Sequence, residues 1–93
     1  EIENKYTVSG TSLGEFKAMV DRGEVNEAEN ILLDTLDYSD REALAAAVLF
    51  YRYVAEKGDD FLQEHNYSLE EAYDGLRQVG RRAGYGELIE DTL

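Results

Sequence analysis

Cysteine, proline and tryptophan are absent from the 93 residues. Without cysteine, no disulfide and no cysteine-ligated zinc site can form. Without proline, no residue removes a backbone donor inside a helix, so uninterrupted helices are favoured. Histidine occurs once, at His65, and the HisXXXHis, HisGluXXHis and GluXXHis spacings of metal sites are missing. Gly10 and Gly14 are not followed by the GlyLysSer or GlyLysThr of a phosphate loop, and the AspXAspXAspGly calcium pattern does not occur. Ser9, Ser12, Ser39 and Ser68 read as turn or cap residues rather than nucleophiles. Basic residues are few as well: nine against twenty-one acids, a net charge of −12.

That charge repels nucleic-acid backbone and anionic membrane, so neither is expected as a partner. It suits a solvated surface, or attraction to a basic protein. The acids pair at helical spacing, as in Glu24 with Glu27, Asp34 with Asp37 and Glu70 with Asp74. These pairs fall on polar faces, which reads as solvation rather than acid–base chemistry or cation binding. His65 reads as a surface or helix-end residue.

One long apolar run is present, residues 43–55, broken only by Arg52. As a helix it spans about 20 Å, short of the roughly 30 Å of a bilayer core. It is expected as the central helix, residues 43–57, of a single domain. Arg41, Ala45, Arg52 and Glu56 line up on its one polar strip. The remaining arc is wider than the roughly 100° of an ordinary surface helix, so packing on several sides is expected. Its alanines permit close approach of neighbours.

Ahead of it, Ser12 and Glu15 form a capping box for a first helix whose apolar face is Leu13, Phe16, Met19 and Val20. Gly23 is read as its left-handed stop. A second helix, residues 24–36, buries Val25, Ala28, Leu32 and Leu36, flanked by Ile31. Behind it, Ser39 with Glu42 is read as a second capping box, opening the central helix. Gly58 closes that helix, and a short helix over residues 61–65 follows, capped by Asp60. Ser68 with Glu71 caps the last helix, which turns Leu69, Ala72, Tyr73, Leu76, Val79 and Ala83 inward. Asp74 and Arg77 are spaced for an ion pair. Residues 1–10 read as a flexible arm in which Tyr6 and Val8 permit a short extended piece. Residues 11–86 form the helical domain, and 87–93 a tail or short helix.

Residues 23–32, from Gly23 through Val25 and Ala28 to Leu32, resemble the turn and second helix of a tetratricopeptide repeat. Phe16, Thr35 and Asp40 depart from that pattern, and no second copy follows, so a repeat-like hairpin is implied rather than an array. The longer pattern of GluAlaGluAsnIleLeu (27–32), AlaValLeuPheTyr (47–51) and AsnTyrSerLeuGluGluAlaTyrAspGlyLeu (66–76) is similar to an uncharacterised family of small bacterial helical proteins, a domain of unknown function. The likeness covers residues 19–83. It implies a bacterial, cytoplasmic, helical protein and supplies no catalytic residues.

The candidate partner-binding residues are therefore few. Arg77, Arg81 and Arg82 are the basic cluster, serving the helix dipole or docking an acidic patch. Leu33 falls off the buried stripe, as a lone exposed leucine or an interface contact. Tyr53 lies on a different side of the central helix from Tyr51, in the core rim or in a tyrosine-lined groove.

The expected fold is all-α, with about five helices packed around the central one. The expected function is a non-catalytic protein-interaction or assembly module, cytoplasmic, without metal or cofactor, binding a protein partner or a second copy as a homodimer. The alternatives are an acidic regulator that masks a basic protein surface, and a small-ligand or enzyme domain completed by a further segment.

Overall fold

Ser12 and Ser68 sit in extended backbone, and their Oγ atoms accept hydrogen bonds from the Glu15 and Glu71 amides at 3.2 and 3.1 Å. Each satisfies an amide that the first turn of a helix leaves unpaired. These caps open two of the five helices in the computed structural model, which describes residues 6–84. The elements run β1 Thr7–Val8, β2 Thr11–Ser12, α1 Leu13–Asp21, α2 Val25–Thr35, α3 Arg41–Glu56, α4 Asp59–Glu64 and α5 Leu69–Ala83. The fold is all-α, with one small antiparallel ribbon at its amino end. The expected tail at 87–93 lies outside the described residues, as do residues 1–5 of the expected arm.

The rest of that arm is a hairpin rather than a loose segment. Val8 pairs with Thr11 and Thr7 with Ser12. The two turn residues between them, Ser9 and Gly10, have φ of 48° and 87°. Positive φ at both positions is what a type I′ two-residue hairpin turn requires. The turn lets Val8 reach the core, where it is wholly buried against α3, while Ser9 Oγ donates to the Thr35 carbonyl at 3.0 Å.

The start of the central helix also differs from expectation. Asp40 is the cap, its Oδ1 accepting from the Glu42 and Ala43 amides. Ser39 instead turns back, donating through its amide and its hydroxyl to Asp37. A carboxylate beside the first turn also meets the positive end of the helix dipole, which a serine cannot exploit as well. The short helix begins two residues earlier than expected, at Asp59, with Gly58 as its cap at φ 85°. Asp59 Oδ1 then accepts from the Leu69 amide, tying α4 to the start of α5.

Helix α3 is the hub, with α5 as its main partner and α1 and β1 beside it, while α2 packs on α1. Ala43, Ala46, Ala47, Phe50, Tyr51 and Val54 are its buried positions. Leu44, Val48, Leu49 and Tyr53 are half-buried, and so is Ala45 of the expected polar strip. The wide apolar arc is thus fully buried on one broad side and half-buried along its flanks. Phe50 is central: its ring meets Phe16 edge-on at 5.9 Å and Tyr51 at 5.2 Å. Tyr73, expected inward, is among the exposed apolar side chains together with Ile31 and Leu33.

Because Phe50 is wholly enclosed, Phe50→Ala should lower unfolding free energy by about 3–5 kcal/mol. Urea denaturation followed by circular dichroism measures it, and an unchanged midpoint would show that α3 does not form the core.

Candidate functional site

A cleft of about 300 Å³ opens between α2 and α5, with α3 beneath it. Helical spacing builds it. Glu29 and Leu33 stand one turn apart on α2, and Glu71, Gly75, Gln78 and Arg82 follow one face of α5. Tyr38, from the turn after α2, closes one end, and Tyr51 of α3 lies at the floor.

The floor is set by close approach. A Cβ on Gly75 would stand 2.4–2.7 Å from the edge and hydroxyl of Tyr51. Only a glycine in α5 lets this ring lie where it does. The Tyr51 side chain is 1% exposed, and its hydroxyl donates to Glu29 Oε2 at 2.7 Å. A buried phenol without such a partner would forfeit the hydration of its hydroxyl. Burial first, and then the charge of Glu29, push Tyr51 far above the ordinary tyrosine range.

A second phenol lies close by. Tyr67 is buried, and its hydroxyl has no hydrogen-bond partner. Burial first, then the charge of Glu29, hold it neutral, with a smaller effect from Glu71. The carboxylate of Glu29 is near enough to raise this phenol further.

Two of the expected partner-binding residues line this cleft, Leu33 and Arg82. Leu33 is 38% exposed. Arg82 lies over the Tyr38 ring at 5.8 Å, with a long contact of 3.4 Å from Nη1 to the hydroxyl. Arg77 reaches the cleft indirectly, pairing at 2.8 Å with Asp74, a lining residue. Arg81 is exposed on the same helix.

Tyr53 is elsewhere. Its hydroxyl donates to Asp21, which also pairs with Lys57 at 2.6 Å. Lys17 and Lys57 lie over the Tyr53 ring at 4.8 and 5.1 Å. The hydrogen bonds from Lys57 and then Tyr53 lower the Asp21 carboxyl below its usual range. This cluster joins the end of α1 to the end of α3 and is accounted for by its own contacts.

His65 is a helix-end residue. It closes α4, lies 4.7 Å from the Phe61 ring, and fills the space that a side chain on Gly23 would need. The Asn26 amide holds the same corner by donating to the Asn66 carbonyl at 3.0 Å. Among the described residues, no three histidine, aspartate or glutamate side chains converge to hold a metal, and no helix is long and apolar enough to cross a membrane.

Glu29, Tyr38 and Gly75 were not singled out as a group in the sequence. The signal for Gly75 was a glycine inside an otherwise regular helical pattern, which marks close packing. Glu29 is one of twenty-one acids in the sequence, and nothing local sets it apart.

Gly75→Ala pits a propensity gain of about 1 kcal/mol against overpacking of about 1–3 kcal/mol. Net destabilisation is expected in chemical denaturation, and equal or higher stability would show that the Tyr51 ring moves aside freely. Tyr51 and Tyr67 also predict a base response. Their folded-state values lie above the unfolded value of about 10, so their contribution is complete below pH 10 and is lost as pH rises above it. In a spectrophotometric titration these two phenols should ionise only as helicity collapses. Smooth ionisation of every tyrosine with helicity intact would contradict their burial.

Neither a curated protein nor a solved structure matches the chain. Its residues 1–84 match the model of a family of unknown function, DUF6483, and the chain belongs to that family.

Proposed function

We propose that this domain is a non-catalytic interaction module of a bacterial cytoplasmic protein, and that it seats a protein partner in the cleft between α2 and α5. The cleft carries this reading. It is concave, floored by an aromatic ring and edged by Leu33 at 38% exposure. Ile31 on α2 and Tyr73 on α5 add exposed apolar area on the two helices that form its walls. Aromatic and apolar groups at a concave centre, with charge around them, are the usual make-up of a partner-binding patch.

The chemistry supports a binding role over a catalytic one. The floor hydroxyl is engaged by Glu29, and both buried phenols are held neutral. Neither is poised to exchange a proton near neutral pH, as a general acid or base must be.

The test compares wild type with Leu33→Asp as baits in quantitative pull-downs from the native lysate, with helicity checked for both. A partner retained by wild type and lost from the variant supports the proposal. Identical profiles from the two folded baits, with both monomeric by light scattering, would overturn it.

A further inference from the structure

We infer that the cleft accepts a basic side chain, an arginine guanidinium or a lysine ammonium, presented by the protein partner; this rests on the reading just given. Three carboxylates line the cleft, Glu29, Glu71 and Asp74, against one cation, Arg82. Asp74 is already paired with Arg77. Glu71 has no ion pair among the described residues. Glu29 is half-buried and accepts from Tyr51 through Oε2.

The carboxylates lie beside the half-buried Tyr38 ring, and a carboxylate and an aromatic ring are the two features that a cation with an aliphatic stem uses together. Arg82 illustrates the fit, since its guanidinium already lies over Tyr38 at the rim. It also stands as a competitor there, occupying a ring face and adding like charge. The volume, about 300 Å³, is at the lower limit of small-molecule sites. It suits one or two side chains rather than a large cofactor. A second copy of this chain, also at −12, would be opposed by charge. A basic partner would be drawn in.

The test is a nuclear magnetic resonance titration of the isotope-labelled domain with three capped amino acids: N-acetyl-arginine methylamide, N-acetyl-lysine methylamide and N-acetyl-citrulline methylamide. Citrulline keeps the shape of arginine without its charge. Saturable shifts centred on Leu33, Gly75 and Gln78 are expected from arginine, lysine or both, weakened by salt. Citrulline should give none.

Glu71→Gln should weaken binding roughly two- to fivefold and Arg82→Ala should tighten it by a similar factor, the range of exposed ion pairs. Equal binding of citrulline, no saturable shift, or tighter binding to Glu71→Gln would overturn the inference. So would concentration-dependent shifts of the same residues without ligand, which would mark a second copy as the occupant. A protein partner lost from Leu33→Asp but held normally by Glu71→Gln would leave the interaction module standing and remove only this inference.

Discussion

The contact between the Tyr51 ring and the bare backbone of Gly75 is the constraint on which the rest of the arrangement depends. It brings α5 against α3 more closely than any side chain at residue 75 would allow. The same approach encloses the ring and forces its hydroxyl to find a partner inside the protein. Glu29, on α2, is that partner. One aromatic residue thus fixes the relation of three helices, and the space left above it is the cleft.

This explains why the cleft lies beside the core and not on a loop. Phe16, Phe50 and Tyr51 form a continuous edge-on run from α1 through α3. The last of them is both a core residue and the cleft floor. A rigid floor under a concave, acid-lined opening favours a preorganised partner site, because little side-chain order has to be imposed on binding. The glutamate that satisfies the buried phenol also supplies negative charge to the opening, so under the proposed function folding and recognition would share a group. That sharing limits how either residue can vary without affecting both.

The helices were largely legible because apolar periodicity and caps are local. Ser12, Ser68, Gly23 and Gly58 each mark a boundary through a hydrogen bond or a positive φ within a few residues. Asp40 was missed because Ser39 offered a competing cap one residue earlier, and only backbone geometry chooses between them. The hairpin was half-read: Tyr6 and Val8 suggested extension, but SerGly at residues 9–10 was the stronger turn signal. Tyr73 was misjudged because a helical wheel gives direction without saying how far a neighbour reaches. The cleft was the least legible feature. Leu33 and Arg82 were read separately, yet nothing local brings them together with Glu29. Their meeting follows from α2 and α5 closing over Tyr51, a tertiary fact encoded mainly in one glycine.

A double-mutant cycle between residues 51 and 75, read as unfolding free energies, tests this arrangement most directly. If the Tyr51 ring is what requires Gly75, the alanine must be costly with tyrosine present. It must become neutral or stabilising, by up to about 1 kcal/mol of helix propensity, once Tyr51→Ala has removed the ring. Such a change of sign is a large coupling for neighbouring residues. Equal effects of Gly75→Ala in both backgrounds would contradict the account, because the two positions would then act independently and the floor of the cleft would have another origin.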